Sequence, residues 1–219
     1  MIARLCRGAK RLAVTLFAGL GLVAAGAEVA WCAAASEPLV TARALALAMR
    51  GGRSAEAEVR YDLVDPLGGP ARVVRGRVRV ESPDRVRLDF TTSGERIALR
   101  GDGGEWLQPA ARQLLRIPAE RAAGALQWWR VLLPESRDTF REESLSSRRF
   151  RLAPRAAGAG PIRMMVRLDA RGLPADLVVE GVSDAPVTYR ISNWKFPPER
   201  GAAAYRLVAP PGFETVDLP

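Results

Sequence analysis

Residues 101–118 read GDGGEWLQPAARQLLRIP, a glycine-rich loop with an acid that could cradle a phosphate or hold a cation. A phosphate loop needs Lys-Ser or Lys-Thr after its glycines and a helix starting there. Here Glu105-Trp106-Leu107 follows, which reads as a strand, and a dinucleotide fingerprint fails for the same reason. A calcium loop needs further oxygen ligands at regular spacing, whereas Asp102 stands nearly alone. Asp-Gly between alternating runs is instead a hairpin signal. Glu142-Glu143 is the densest acidic pair, but neighbours in a strand point to opposite faces and make a poor acid–base dyad; a solvated turn or strand end is expected. Ser144, Ser146 and Ser147 have no histidine to activate them, because the chain contains none. Lys195 could act as an amine, yet one lysine beside two prolines is thin support. No catalytic residue, metal site or cofactor is expected.

The first 35 residues have the pattern of an export signal. Arg4, Arg7, Lys10 and Arg11 precede an apolar run from Leu12 to Val23, with small residues at Ala25-Gly26-Ala27 and Ala33-Ala34-Ala35. Cleavage is expected after Ala35, leaving residues 36–219 as a single domain. It would remove Cys6 and Cys32, so the body has neither disulfide nor thiol. VAWC at 29–32 partly resembles a lipoprotein processing site, but Trp31 is bulky where a small residue belongs. An uncleaved anchor is disfavoured, since Leu12 to Ala27 is short for a span of ~20 residues. The body keeps 29 basic and 23 acidic side chains, or +6, nearly all the positive charge being arginine. Genome base composition accounts for that blandly; a basic patch for anionic lipid or an acidic partner is the functional alternative. Nucleic acid is not expected, for want of a binding motif.

The elements that must position any site follow from periodicity. LVTARALALAMR predicts a short helix before Gly51-Gly52, with Leu39, Ala42, Ala46 and Met49 on one side. The period then becomes two: Val74, Gly76, Val78 and Val80 alternate with Arg75, Arg77 and Arg79. Val86, Leu88 and Phe90 alternate with Arg85, Arg87 and Asp89, and Ile97 and Leu99 continue the pattern. Between Pro118 and Pro134, Ala122, Ala125, Leu126, Trp129 and Leu133 fall at helical spacing. Strands are predicted again in RRFRL, PIRMMVRLD, ADLVVEG, PVTYRISNW and AAYRLVAP, with PRAAGAGP as a surface loop. The order implies an α+β fold: a large curved antiparallel sheet with a few helices on one face.

Trp106, Trp128, Trp129, Met164, Met165 and Trp194 supply large, adaptable apolar surfaces. Any one of them alone is ordinary core. A wide sheet with few helices has more apolar face than they readily cover, and the surplus could line a cavity for a hydrophobic ligand.

Three motifs in order carry a family resemblance over roughly residues 38–219: GRVRVESPDRVRLDF, IALRGDGGEWLQPAARQLLRIP and ISNWKFPPERGAAAYRLVAPPGFETV. With the export signal, the chain resembles the LolA-type periplasmic carriers of outer-membrane lipoproteins and the wider LolA/LolB-like superfamily. That resemblance implies an unclosed β-barrel covered by lid helices, with lipoprotein acyl chains held between sheet and lid. It also implies an inner-membrane releasing transporter and an outer-membrane acceptor as partners, and periplasmic location. A monomer is expected. The carriers commonly have an arginine before the proline of the first motif that helps tie the lid; this chain has Ser82, and Arg79 or Arg85 are the nearby substitutes.

The leading expectation is a carrier binding lipoprotein acyl chains, or another lipid such as a glycolipid. Its candidate cavity residues are Val78, Val80, Val86, Leu88, Phe90, Ile97, Leu99, Trp106, Met164, Val166 and Leu168, with Leu126, Trp129 and Leu133 in the lid. The alternatives are a non-transporting envelope sensor or interaction protein on the same fold and, with least support, a hydrolase.

Overall fold

The computed structural model describes residues 38–63, 72–119, 127–134, 136–155, 163–181 and 186–218. The expected leader, Leu126, and most of the PRAAGAGP loop lie outside them. Helix α1 (Val40–Ala48) precedes strands β1 (Ala55–Leu63), β2 (Arg72–Glu81), β3 (Arg85–Phe90), β4 (Arg96–Arg100), β5 (Gly103–Gln108) and β6 (Gln113–Pro118). A 3-10 segment (Gln127–Leu132) and the one-turn α2 (Ser136–Thr139) lead into β7 (Phe140–Ser146), β8 (Arg149–Pro154), β9 (Arg163–Leu168), β10 (Pro174–Glu180) and β11 (Val187–Lys195). A second 3-10 turn (Ala202–Tyr205) and β12 (Glu214–Asp217) finish the chain.

All twelve strands form one sheet in the order β12-β6-β5-β4-β3-β2-β1-β11-β10-β9-β8-β7. Every pairing is antiparallel except β12 with β6. The sheet does not close on itself, and with α1 and the 3-10 segment on its inner face it is the expected unclosed barrel with few lid helices.

Alternation decides which side chains face inward. In β2, Val74, Val78 and Val80 are buried while Arg75 and Arg77 are exposed. In β9, Met164, Val166 and Leu168 are buried while Arg163, Met165 and Arg167 are exposed. Gly76 interrupts the valines because a Cβ there would lie 2.6 Å from the Asp89 carbonyl oxygen and 2.9 Å from the Phe90 ring. A side chain would push β2 off β3.

The Asp-Gly hairpin forms as expected, with Ile97 opposite Trp106 and Trp106 opposite Leu115. Asp102 at its turn accepts from Arg100 Nε at 3.0 Å.

Three local expectations need correction. In α1, Leu45 is fully buried and Ala46 only partly so. Leu is three carbons larger than Ala, so the sheet face takes it first. Of the stretch between Pro118 and Pro134 predicted as helical, Ala119 is helical, while Gln127–Leu132 form a 3-10 segment. AAYRLVAP is not a strand: its first residues coil into the 3-10 turn Ala202–Tyr205, whose backbone carbonyls bond to arginines of the sheet rather than to a neighbouring strand.

Candidate functional site

The inner face of the sheet gathers the candidate residues. Register places Val78 opposite Leu88 and Val80 opposite Val86. Val86 in turn faces Leu99, and Leu88 faces Ile97. On the same face toward the β7 edge of the sheet, Leu152 pairs with Met164 and Phe150 with Val166. All of these, with Phe90, Leu168, Trp129 and Leu133, belong to one buried apolar cluster; Trp106 packs against it half-buried. Ten of the eleven proposed cavity residues are buried outright. Leu126 is outside the described residues.

Aromatic contacts join lid to sheet. The Trp129 ring stands edge-on to Tyr189 with centroids 5.0 Å apart, and Tyr189 lies 4.9 Å from Tyr61. Tyr61 meets Phe90 edge-on at 5.8 Å. Burial raises the phenol pKa of Tyr189 and of Tyr61, so both stay neutral and serve as apolar surface.

Two polar ties between lid and sheet stand out among the described residues, and sequence reasoning missed both. Glu142 of β7 reaches the exposed amide end of α1, accepting from Val40 N at 2.8 Å and Thr41 N at 3.0 Å. Leu39, at the N-cap, has no side chain for the task, so a carboxylate about one hundred residues downstream supplies it. The expected alternation of Glu142 and Glu143 holds: Glu143 points the other way, to Arg151. Glu142 is therefore a helix cap rather than a solvated strand end. No local sequence signal links it to α1.

The second tie is Arg130, whose guanidinium donates to the carbonyl of Arg100 at the end of β4. Burial lowers its pKa, partly offset by the nearby Asp84 carboxylate. Arg79 and Arg85, the suggested substitutes for a lid-tying arginine, do not reach the lid. Both point to the outer face, where Arg79 Nε donates to Glu56 at 2.6 Å and Arg85 pairs with Glu81. Alternation from Val78 and Val86 fixes that direction. The Ser82-Pro83 peptide between these strands is cis.

Several polar atoms around the lid have no partner although buried: Trp106 Nε1, Thr41 Oγ1, Ser136 Oγ and Arg130 Nε. An unmet buried donor or acceptor costs about 1–3 kcal/mol. The inner face thus offers a broad apolar surface with a few polar atoms awaiting a bond.

Among the described residues no group of three or more His, Cys, Asp or Glu side chains could hold a metal. Nor is any helix there long and apolar enough to cross a membrane.

No protein-family model matches the sequence, and no curated protein matches it. Solved structures do resemble it. An uncharacterized conserved protein from Thermus thermophilus is 14% identical, with a TM-score of 0.45 over 80% of this chain and 97% of its own. A LolA superfamily protein from Nitrosomonas europaea is 10% identical, with a TM-score of 0.43 over 77% of this chain and 99% of its own. A domain from Vibrio parahaemolyticus assigned to outer membrane lipoprotein sorting is 14% identical, with a TM-score of 0.44 over 74% of this chain and 93% of its own. Each is a distant likeness, at a level that assigns no residue a role.

Proposed function

We propose that the protein is a non-enzymatic carrier that holds the acyl chains of a lipoprotein, or of another lipid, between its sheet and its lid. The observation that carries this reading is the contrast between lid and sheet contacts. Apart from Glu142 and Arg130, the described lid meets the sheet mainly through apolar side chains of the inner cluster. Apolar contacts are non-directional, so an acyl chain can replace a lid residue on Val78, Leu88, Phe90 or Met164 with little loss. Burying such a chain in a membrane is worth about 0.8 kcal/mol per CH₂, and a soluble carrier has to offer surface of the same kind. The unpartnered Trp106 Nε1–H is a ready donor for an ester or amide carbonyl at the head of the chain.

The cavity residues are the eleven named above, with Leu126, Trp129 and Leu133 in the lid. Residues 1–35 are a cleaved export signal and residues 36–219 the working domain, a monomer acting in the periplasm. An inner-membrane transporter would load it and an outer-membrane acceptor would relieve it of its client, as the family resemblance implies.

Purification from envelope extract without detergent, followed by organic extraction and mass spectrometry, should recover an acylated molecule in near-equal amount. Repeated recovery of protein with no lipid or lipoprotein would remove the support for this reading.

One observation favours a second reading, a non-transporting envelope sensor on the same fold. Val78, Val80, Val86, Leu88 and Leu99 are all 0% exposed, as in a permanently filled core. Transfer of acylated cargo between vesicle populations separates the two: a carrier transfers, whereas a sensor co-purifies with one membrane protein and does not.

A further inference from the structure

The outer face carries a line of arginines that the carrier reading does not use. Register sets Arg149 opposite Arg167 and Arg167 opposite Asp176. Asp176 faces Arg190, Arg190 faces Arg60, and Arg60 faces Arg75. One continuous row thus follows the sheet across six neighbouring strands, β8, β9, β10, β11, β1 and β2, with five guanidinium groups and one carboxylate. At the usual spacing between strands it is roughly 24 Å long.

Three features mark the row out. Like charges directly opposite one another across a sheet are unfavourable, yet here they recur at Arg149–Arg167, Arg190–Arg60 and Arg60–Arg75. The side chains stay in solvent: Arg60, Arg167 and Arg190 are 48%, 45% and 53% exposed. Neutralisation is incomplete, since Asp62 is shared by Arg190 at 2.9 Å and Arg60 at 3.7 Å, and Asp176 pairs with Arg167. Among the described residues the five guanidinium groups form ion pairs with two carboxylates, while Glu58 and Asp89 lie in one depression with Arg60 and Arg75.

At the β7 end the row runs beside apolar side chains that alternation has left outside. Leu145 is 42% and Met165 36% exposed, and with Arg149, Arg167 and Val178 they line an open groove of about 470 Å³. A row this long outreaches any single small anion. It carries no exposed aromatic for a base to stack on, as a single-stranded nucleic acid would require. A line of arginines with apolar groups at its end fits a surface of many phosphates over an apolar interior.

We propose that this outer face docks the protein on anionic phospholipid membranes through the row Arg149, Arg167, Arg190, Arg60 and Arg75, with Leu145 and Met165 entering the interface. The site lies on the opposite side of the sheet from the acyl-chain surface, so it stands whether or not the inner face takes cargo. A protein docked in this way keeps its lid away from the membrane plane and free to move.

The test is flotation of the purified protein with vesicles of phosphatidylcholine alone and of phosphatidylcholine with phosphatidylglycerol. Binding is expected only to the anionic vesicles, weakening as salt is raised. Arg149→Ser and Arg190→Ser should each lower the affinity on the order of fivefold, with losses that multiply when combined. Arg116→Ser, which removes an equally exposed arginine of β6 outside the row, should leave it nearly unchanged. The proposal is overturned if neutral vesicles bind as well, or if Arg116→Ser weakens binding as much as the row variants. It also fails if the protein ignores both vesicles and binds a soluble polyglutamate instead. Thermal unfolding of Arg149→Ser should match or exceed wild type, because it removes a like charge opposite Arg167. Arg190→Ser and Arg116→Ser should stay close to wild type, since each loses only an exposed ion pair.

Discussion

Both halves of the outer face are built from strands that alternate apolar and arginine, and they put those arginines to different use. From the Glu81 end of β2 across β3–β5, Arg79, Arg85, Arg87 and Arg100 are largely enclosed. Arg79 bonds Glu56, Arg85 bonds the fully buried Glu81, and Arg100 makes a two-pronged contact with Glu105 at 2.6 and 2.8 Å. The same groups hold down the C-terminal segment. Arg87 donates to the carbonyl of Ala204 at 2.6 Å, and Arg100 to that of Tyr205 at 2.8 Å. Glu81 accepts from Arg200 N at 2.9 Å. Tyr205 is itself fully buried, on the same side of the sheet as Ala98, Leu107 and Leu114, which are buried too. Over β8–β2 by way of β1 nothing covers the row among the described residues, and its arginines stand in solvent. Covered charge sets structure, because its loss strands a partner in a dry site; exposed charge contributes little to stability and is free for binding.

This contrast can be broken at several points, beginning with the largest effect. Tyr205→Ala should destabilise the fold by about 3–5 kcal/mol, as for other large buried rings. Tyr205→Phe should be neutral or slightly stabilising, because the hydroxyl has no partner. Chemical denaturation measures both, and equal losses would show that the hydroxyl holds the segment rather than the ring. Glu81→Ala leaves Arg85 and the Arg200 amide without their acceptor and should cost about 3 kcal/mol. Asp62→Ala, which removes an exposed partner of the row, should cost under about 1 kcal/mol. Comparable losses from the two would erase the distinction between the halves.

On the inner face, Glu142→Ala should cost about 1 kcal/mol by uncapping α1, seen as faster amide exchange at Val40 and Thr41 while β1 and β2 stay protected. The smallest effect concerns pH at the β9–β10 turn. Burial pushes the Asp169 carboxyl up, but N–H donors from Leu173 at 2.9 Å and Arg171 at 2.8 Å, with the Arg171 guanidinium, outweigh it and hold it below the ordinary 3.8. A lowered value in the folded state contributes stability above the unfolded pKa and loses it as pH falls through the folded one. Asp169→Asn should therefore flatten the decline in stability below pH 3.8, as measured by unfolding across the acid range.

How much of this was legible beforehand varied with the range of the interaction. Alternation in VVRGRVRVE and RMMVRL assigned each residue to a face, because period two is a local property of the strand. So did Asp102-Gly103 as a hairpin. β1, which joins the two halves of the sheet, was missed. Its inward residues Ala55, Ala57 and Val59 are small, and AEAEVR lacks the branched or aromatic signal of a strand. Arg79 and Arg85, the nearby substitutes for the family's lid arginine, point outward to Glu56 and Glu81 instead. Glu142 on α1, Arg130 on Arg100 and Tyr205 on the outer face join residues from 30 to more than 100 positions apart. No periodicity records such pairs. The arginine row is of the same kind: each member was visible, but its alignment depends on the registers of five separate pairings.

Met164 and Met165 are adjacent, chemically identical and on opposite faces, so they are natural reporters for the central claim that cargo lies against the inner face. The direct measurement is photolabelling with a diacyl lipid bearing a diazirine at the chain end. The soluble complex is separated from vesicles before irradiation, and the labelled peptides are sequenced by mass spectrometry. The account predicts adducts on Met164 and on inner-face neighbours such as Leu88, Phe90 and Trp106, with Met165 unlabelled. Adducts on Met165, Leu145 or Val178, or none on the soluble protein, would contradict it.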